Sequence, residues 1–423
     1  MTITEKIIAR AASKPSVSPG DVLFVDVDKV MMHDVSGPGV IKVFEEWAKK
    51  GVHLERIWNP DRVWVTEDHF VPSADKISAD NIMKLTNWTK KYGIKRHYKY
   101  GMGQYGICHT LSHEEGIILP GEVYVGGDSH TNTTGALGAF AIGLGHTDVA
   151  YTLMHGRIWI KVPETILFKL VGRKSPYLMA KDIILNIIGD IGTDGGNYKS
   201  MQFAGESVKE LSMDERLTLT NMTTEAGAKN GIIEPDSVTK AYLRERTKDS
   251  YSPLNGDVDA SFVDEITYEV DRLEPTVAKP YSPGNISAVR ELEKTEIDKA
   301  YIGSCTGAKL DDLRAVAGIM KGKKVKVRTE VLPAAQSIFM KAMNEGLIDI
   351  FMQCGAVVGP PTCGACCGAH MGVLGKNEVC VSTTNRNFPG RMGDVDSKTY
   401  LASPLVVAAS AITGKITDPR DLS

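Results

Sequence analysis

Short apolar runs that end in polar side chains recur along the first third of the chain. Asp21–Val25, Arg62–Thr66 and Glu122–Val125 are predicted to be β-strands, because each is a short apolar run bounded by polar residues. Acidic and imidazole side chains follow these runs, as in Asp68-His69 and Asp128-Ser129-His130. Open α/β sheets bind their ligands at the carboxyl ends of strands, so the pattern predicts an α/β fold with a site at those ends.

Strand and helix patterns alternate through the remainder of the chain. The predicted elements are strands at Thr165–Val171, Ile266–Val270 and Val325–Val331, and helices at Met179–Ile188, Lys309–Lys321 and Ala334–Gly346. The prolines of Pro275–Pro283 predict a linker. A single core stops growing at roughly 250–300 residues. The chain is therefore long enough for two or three domains, and the predicted elements fall into three regions, at residues 1–163, 164–285 and 286–423, which we take as the domains.

The glycine-rich stretch Gly135–Gly145 does not match a nucleotide-binding motif. Its spacing departs from G-x-G-x-x-G, and the sequence contains no P-loop. We predict that it begins a closely packed helix. The amides of such a helix start could face an anionic substrate, or the glycines could serve packing alone.

The composition argues against some classes of protein. A net charge of −3 gives no electrostatic support for a nucleic-acid-binding surface. No apolar run reaches the ~18 residues of a membrane span. Residues 1–14 lack the continuous apolar core of a signal peptide. A cytoplasmic location is therefore expected.

Cysteine and histidine are concentrated at opposite ends of the chain. Six of the seven cysteines lie beyond residue 300, whereas nine of the ten histidines precede residue 160. Without a secretion signal, free or metal-bound thiols are expected rather than disulfides. If the sulfur and imidazole groups serve one site, we expect that site to lie between domains.

The segment Gly359–Gly372 places Cys363 and Cys366 in a C-x-x-C pair. Such a pair occurs as a redox dithiol, as half of a zinc site or as part of an iron–sulfur site. The other cysteines of the chain distinguish these possibilities. A zinc ribbon needs a second pair, which the sequence lacks. Cys305 instead lies in the segment Tyr301–Gly307, shortly after the predicted strand Ala300–Ile302. Three cysteines can bind three corners of a cubane cluster and leave the fourth iron open.

Other polar residues have both a functional and a plain structural interpretation. A lone histidine is as often a core or surface residue as a catalytic one, but an adjacent aspartate can orient its ring and raise its pKa, as a general acid requires. Asn221 and Glu225, four residues apart, are predicted to share a solvated helix face. Arg386 and Arg391 flank a turn and either bind a carboxylate or lie at the surface.

Four motifs together resemble the aconitase superfamily. They are Gly127-Asp-Ser-His-Thr131, Ile302-Gly-Ser-Cys-Thr306, Pro361-Thr-Cys-Gly-Ala-Cys366, and Thr384-Asn-Arg-Asn-Phe388 followed by Gly390-Arg391. They occur in the family's order over nearly the whole chain. The resemblance implies an α/β fold of three α/β/α domains around one [4Fe–4S] cluster, with the family's swivelling fourth domain absent from this chain.

The resemblance also implies roles for individual residues. The implied cluster ligands are Cys305, Cys363 and Cys366, with one iron not bound by cysteine, while Cys108, Cys354, Cys367 and Cys380 receive no role. The implied catalytic pairs are His69 with Asp68, His109 with Asp128, and His130 with Glu225. The implied substrate-binding residues are His33, Ser36, Ser129, Asn221, Asn385, Arg386 and Arg391.

The implied reaction is the isomerisation of a 2-hydroxy dicarboxylate by loss and re-addition of water. The expected substrate pair is 3-isopropylmalate and 2-isopropylmalate, of leucine biosynthesis, with homoaconitate, citramalate and 2,3-dimethylmalate as close alternatives. The family's catalytic serine and a carboxylate-binding arginine are expected on a separate small subunit that carries the fourth domain.

Two other classes of protein share parts of this pattern. An electron-transfer or structural iron–sulfur protein would need a fourth cysteine ligand, from Cys354, Cys367 or Cys380. An RNA-binding protein of the same architecture would need the fourth domain and a basic face, and the sequence shows neither.

Overall fold

A computed structural model describes residues 1–368 and 370–422. The strands are β1 (Val22–Asp26), β2 (Lys29–His33), β3 (Val63–Thr66), β4 (Arg96–Tyr98), β5 (Val123–Gly126), β6 (Phe140–Gly143), β7 (Arg157–Lys161), β8 (Thr165–Val171), β9 (Ser200–Ala204), β10 (Asn230–Ile233), β11 (Asp264–Glu269), β12 (Thr276–Ala278), β13 (Ile286–Ala288), β14 (Lys299–Ile302), β15 (Arg328–Val331), β16 (Val357–Val358), β17 (Val379–Ser382) and β18 (Lys398–Ala402).

The α-helices are α1 (Ile3–Ala11), α2 (Ser36–Lys49), α3 (Lys76–Lys91), α4 (Cys108–Glu114), α5 (His146–His155), α6 (Ala180–Ile191), α7 (Glu206–Glu210), α8 (Met213–Met222), α9 (Ser237–Arg244), α10 (Leu310–Met320), α11 (Gln336–Asn344), α12 (Leu347–Cys354) and α13 (Pro404–Thr413). In the part of the chain that the structure describes, none of them has both the length and the apolar character needed to cross a membrane.

The described chain forms two compact units, each assembled from several segments. Unit 1 comprises residues 1–169, 196–204 and 228–266. Unit 2 comprises residues 170–195, 205–227 and the described part of 267–423. The division into three domains stays a prediction.

Unit 1 contains a five-stranded parallel sheet with the strand order β4-β3-β2-β5-β6. Strands β3 and β5 are buried at every position, which explains why their sequences are continuous apolar runs. They confirm the strands predicted at Arg62–Thr66 and Glu122–Val125. The strand predicted at Asp21–Val25 is also present, as β1, but it pairs antiparallel with β7, and His33 ends a different strand, β2.

The prediction of a helix start at Gly135–Gly145 is wrong. This segment contains the end of the 3₁₀ helix Ser129–Leu137 and then strand β6, and α5 begins only afterwards. Phe140–Ile142 has no exposed surface and pairs with β5, so burial in the sheet overrides the local glycine content. Gly135 is required for packing, because a Cβ there would collide with the carbonyl oxygen of Gly231.

A four-stranded sheet contains the strands predicted for the second region of the sequence. Its order is β10-β9-β8-β11, and β9 pairs parallel with β10 and with β8. Strand β8 has the predicted bounds Thr165–Val171, and β11 covers most of the predicted strand Ile266–Val270. Both predictions are confirmed.

Unit 2 contains a seven-stranded mixed sheet with the order β13-β12-β18-β17-β14-β15-β16. The five strands from β18 to β16 are parallel, and β12 and β13 add antiparallel strands at one edge. Strand β14 and helix α10 confirm the strand predicted before Cys305 and the helix predicted at Lys309–Lys321. The linker predicted at Pro275–Pro283 is wrong, because it contains β12, whose Val277 and Ala278 are fully buried.

Helix α6 confirms the predicted apolar face. Its fully buried isoleucines are Ile183, Ile184, Ile187 and Ile188. Asp182, in its first turn, accepts hydrogen bonds from the backbone N–H of Met179 at 2.8 Å and of Thr276 at 3.0 Å. Burial raises the pKa of Asp182 to about 6, although these hydrogen bonds oppose the shift. The carboxyl group therefore joins α6 to β12.

We expect Asp182 to make the protein less stable as the pH rises from about 4 to about 6. In that range the unfolded chain has released the proton that folded Asp182 still binds, so raising the pH favours unfolding, by up to roughly 3 kcal/mol. Asp182→Asn should remove this part of the pH dependence, measured as the free energy of unfolding in urea at pH 4 and pH 7.

The exposed Asp259 provides the control, since Asp259→Asn should retain the wild-type profile. An Asp182→Asn profile parallel to that of the wild type would contradict the assignment.

Candidate active site

Three parallel strands of unit 1 end side by side, and each end carries polar side chains. His33 closes β2, Asp68 and His69 follow β3, and Asp128 follows β5. Because β2 pairs with both β3 and β5, the three ends share one edge of the sheet. His109, on α4, contacts Asp128. The structure thus brings these five residues together.

A buried carboxylate that the sequence analysis did not assign, Asp34, ties the end of β2 to the end of β3. Its Oδ1 accepts hydrogen bonds from the backbone N–H groups of Asp68 at 3.3 Å and His69 at 3.1 Å. Its Oδ2 accepts one from Phe70 at 2.6 Å. Burial, and then the neighbouring charge of Asp68, raise the pKa of Asp34. The sequence feature that could have identified Asp34 is its position directly after His33, at the end of a strand.

The rings of His33 and His69 stack with their centroids 4.4 Å apart, and hydrogen bonds define their tautomers. His69 Nδ1 lies 2.7 Å from Asp68 Oδ1, so this nitrogen carries a proton that it donates to the carboxylate. His33 Nδ1 accepts hydrogen bonds from the N–H groups of Val35 at 3.1 Å and Ser36 at 3.3 Å. In neutral His33 the proton is therefore on Nε2.

Asp128 is the centre of a second group of histidines. Its Oδ1 lies 2.8 Å from His109 Nε2 and accepts a hydrogen bond from the backbone N–H of His130 at 2.8 Å. His130 Nδ1 is 3.6 Å from the same oxygen, and His33 Nε2 is 3.5 Å from Oδ2. Burial alone would raise the pKa of Asp128, but His109, His130 and His33 hold it well below its ordinary value. Asp128 is therefore an anion beside three imidazoles.

Two opposing influences act on the pKa of His109. Burial lowers it, whereas the charge and the hydrogen bond of Asp128 raise it, as expected of a neighbouring aspartate. The net shift is downward, because the cost of charging a buried ring exceeds the gain from pairing.

Two predicted serines lie at the same strand ends. Ser36 Oγ accepts a hydrogen bond from the backbone N–H of His33 at 3.1 Å. Ser129 is exposed, and its Oγ is 3.5 Å from His130 Nδ1. A Cβ on Gly127 would lie only 2.7 Å from Ser36 Oγ, so the glycine of the Gly127–Thr131 motif is required by close packing.

In unit 2 the predicted cysteines follow neighbouring parallel strands. Cys305 follows β14, Cys363 and Cys366 follow β16, and Asn385 follows β17. Strands β17, β14, β15 and β16 are consecutive in the sheet, so their carboxyl ends share one edge. The three thiols are buried, with exposed fractions of 5% for Cys305, 5% for Cys363 and 2% for Cys366.

Amide and hydroxyl groups surround the sulfur atoms. The amide nitrogen of Asn221 lies 3.1 Å from Cys305 Sγ, and that of Asn385 lies 3.6 Å from it. Asn385 Oδ1 is 3.8 Å from Cys366 Sγ. Ser304 Oγ is 3.7 Å from the sulfur of Cys305 and 3.7 Å from that of Cys366. Asn385 and Ser304 therefore bridge the two cysteines.

Cys363 completes the group of thiols. Hydrogen bonding with Cys366 and Cys367 raises the pKa of the Cys363 thiol well above its ordinary value, and burial adds to the shift. The Cys363 carbonyl accepts a hydrogen bond from the Tyr301 hydroxyl at 2.8 Å. Soft thiolate ligands gathered in a buried place suit an iron–sulfur cluster. The donor set of unit 2 fits such a group.

The prediction of a solvated helix face for Asn221 and Glu225 is wrong. Both side chains are buried, with exposed fractions of 0% and 5%, because the helical segment that carries them is packed inside unit 2. Arg386 Nε donates to both carboxylate oxygens of Glu225, at 2.8 and 3.0 Å. The pairing of Glu225 with His130 stays a prediction. Arg391 is half-buried.

The remaining cysteines are dispersed. Cys354 Sγ donates to the carbonyl of Met320 at 3.0 Å, and Cys380 is fully buried within β17. Cys108 is fully buried at the start of α4. Cys367 is half-buried and, through its contact with Cys363, lies nearest to the predicted ligands.

Two buried lysines that have no predicted role border the loop of Cys305. Lys309 Nζ donates to the Cys305 carbonyl at 3.3 Å, to Thr218 Oγ1 at 2.9 Å and to Asp312 Oδ2 at 2.8 Å. Lys181 contacts the same loop at Thr306, the residue after Cys305. Nothing local marks these lysines in the sequence, because most lysines are exposed.

Comparison with known proteins defines the class of this protein. The aconitase family (aconitate hydratase) matches residues 5–414. The chain therefore belongs to the aconitase family and is a hydro-lyase. Membership of this family implies an iron–sulfur cluster.

Individual relatives are similar over the whole chain. The 3-isopropylmalate dehydratase large subunit of Aquifex aeolicus is 45% identical over 429 residues, which cover 100% of this chain and 98% of the relative. That of Heliobacterium modesticaldum is 47% identical over 424 residues, covering 100% and 99%. The 3-isopropylmalate dehydratase large subunit 1 of Pyrococcus furiosus is 45% identical over 426 residues, covering 100% and 99%.

A solved structure shares the fold. The holo form of aconitase X from Thermococcus kodakaraensis superposes with a TM-score of 0.51 at 13% sequence identity, covering 88% of this chain and 89% of that chain. This likeness confirms the predicted aconitase-like α/β fold.

Removing the Asp34 carboxylate should destabilise the protein and disturb the histidine groups. In Asp34→Ala the N–H groups of Asp68, His69 and Phe70 lose their acceptor, so the free energy of unfolding should fall by at least about 2 kcal/mol. Asp34→Asn keeps one acceptor oxygen and should lose less. Both variants are measured by urea unfolding.

The matched control is Asp80→Ala, because Asp80 is an exposed aspartate that forms an exposed ion pair with Lys76. Its effect should stay within about 0.5 kcal/mol. Equal losses in the Asp34 and Asp80 variants would show that Asp34 does not hold the strand ends.

Proposed function

We propose that this chain is the large subunit of an iron–sulfur hydro-lyase that interconverts 3-isopropylmalate and 2-isopropylmalate by loss and re-addition of water. The observation that carries the proposal is the buried group of thiols at one sheet edge of unit 2, with Asn221 and Asn385 against the sulfur of Cys305. The names of the similar relatives support the choice of substrate.

Cys305, Cys363 and Cys366 are the ligands that we assign to a [4Fe–4S] cluster, one iron of which is not bound by cysteine. When bound, such a cluster supplies a Lewis-acidic iron to the hydroxyl and a carboxylate of the substrate. The amide nitrogens of Asn221 and Asn385 donate toward the Cys305 sulfur, and such second-layer hydrogen bonds orient a ligand and adjust its charge.

The histidines of unit 1 are assigned to proton transfer. His69 and His109 each direct one ring nitrogen at a carboxylate, of Asp68 and Asp128 respectively, and this contact orients the ring for proton transfer. One of these imidazoles, or His130, protonates the departing hydroxyl and takes the proton back in the reverse step. Ser36, Ser129 and His33 are assigned to substrate binding.

The two arginines are assigned to the substrate carboxylates. Arg386 uses its Nε for Glu225, so its Nη groups are the ones that we assign to the substrate. A guanidinium group offers the paired donors that a carboxylate prefers. Arg391 is the second candidate on the same turn.

A small subunit completes this proposal. The relatives are named as large subunits, which implies a smaller partner. We assign to that partner the swivelling domain, the serine that removes the proton next to a carboxylate, and a further arginine. We expect both subunits in the cytoplasm.

The first experiment is turnover of 3-isopropylmalate by this chain with its small partner, after anaerobic reconstitution with iron and sulfide. We expect 3-isopropylmalate to be preferred over homoaconitate, citramalate and 2,3-dimethylmalate. Preference for one of the others would move the assignment to that hydro-lyase and leave the reaction class unchanged.

Replacing the assigned ligands should abolish cluster binding. We expect Cys305→Ser, Cys363→Ser and Cys366→Ser each to lose bound iron and sulfide and nearly all activity, measured by metal analysis and visible absorbance. Cys354→Ser is the control, because its hydroxyl can keep the hydrogen bond to Met320. Loss of the cluster in Cys367→Ser would instead favour the electron-transfer alternative with four cysteine ligands.

Removing the charge of Asp128 should slow the reaction without removing the cluster. In Asp128→Asn the neighbouring imidazoles lose their anionic partner, and kcat should fall about 10²–10⁴-fold at unchanged iron content. Asp26→Asn, at an exposed ion pair with Arg157, should leave kcat unchanged. An Asp128→Asn enzyme of wild-type activity would exclude this role.

A further inference from the structure

Lys181 is a buried cation at the junction of two loops of unit 2. Its side chain, on the first turn of α6, has an exposed fraction of 1%. Its Nζ donates to Thr306 Oγ1 at 3.2 Å and to the carbonyl oxygens of Thr383 at 2.9 Å and Thr384 at 2.5 Å. An ammonium group has three protons, so all of its donors are used.

These acceptors belong to the loops that carry the assigned ligands. Thr306 follows Cys305 directly, and Thr384 precedes Asn385 directly. Thr306 Oγ1 also donates to the Thr383 carbonyl at 2.8 Å, so the ammonium reinforces an existing connection between the loops. Lys181 therefore helps to set the separation of the Cys305 sulfur and the Asn385 amide.

None of the three acceptors of the Lys181 ammonium group is a carboxylate. All three are neutral oxygens. Lys309, which contacts the same loop at the Cys305 carbonyl, is paired with Asp312 at 2.8 Å. Burial lowers the pKa of Lys181 to about 7, and among the influences that raise it, negative charge at Cys305 is the largest. Burying an ammonium group that has no carboxylate within hydrogen-bond distance is costly, and thiolates that bind a cluster would add opposite charge to that of the more distant Asp312.

We propose that Lys181 is a positioning residue of the iron–sulfur site, which joins the Cys305 and Asn385 loops and provides the buried positive charge that offsets the thiolate ligands. This inference rests on the proposed function, because it requires that the cluster be bound. A cation nearby stabilises the more negative, reduced state of a cluster, so Lys181 should raise the reduction potential.

Three substitutions separate the charge from the hydrogen bonds. Lys181→Met removes both, Lys181→Gln keeps a neutral N–H donor, and Lys181→Arg keeps the charge. In the full chain loaded with cluster, we expect a more negative reduction potential for the Met and Gln variants and a potential near that of the wild type for Arg. The potential is followed by electron paramagnetic resonance, and Lys181→Met should also lose iron faster to a chelator.

The control is Lys299→Met, which removes a lysine of equal burial that is paired with Glu330 at the opposite end of β14. It should leave the potential unchanged. Potentials of the Met and Gln variants equal to that of the wild type would overturn the inference while leaving the proposed function intact. If Lys181→Met does not fold, equal reduction potentials for Lys181→Gln and Lys181→Arg would overturn the inference. A wild-type chain that takes up no cluster would overturn the proposed function as well.

Discussion

Parallel pairing of short strands is the constraint on which the rest of this structure depends. Neighbouring parallel strands must end at the same sheet edge, and the chain must leave each strand there. In unit 1 this places Asp68 and Asp128 on either side of His33. In unit 2 it places Cys305 beside the loops of Cys366 and Asn385. Each group of side chains is thus assembled by its own sheet.

Burial at these edges makes every polar group dependent on a partner. A buried carboxylate or ammonium group is tolerated only when hydrogen bonds or an opposite charge replace water. Asp34 satisfies three backbone N–H groups, and Lys181 uses three neutral oxygens. These residues need not touch a substrate. They hold the loops from which His69 and Cys305 extend.

The two units carry different chemistry. Unit 1 gathers imidazoles around Asp68 and Asp128, which suits proton transfer. Unit 2 gathers thiols beside amides, which suits a soft metal centre. The imidazole group accordingly belongs to unit 1, and the thiol group belongs to unit 2.

The sequence by itself determined the α/β fold, most of the strands and the cysteine and histidine groups, because these depend on local signals. Apolar runs such as Val63–Thr66 mark buried strands, and a polar residue directly after a strand lies at the sheet edge. Tertiary structure decided the rest. It made part of Gly135–Gly145 a strand, buried Asn221 beside a cysteine sulfur 84 residues further along the chain, and placed Lys181 between two distant loops. Those outcomes depend on partners that are remote in sequence, and local hydrophobic periodicity carries no information about which distant backbone or side chain will satisfy a buried polar group.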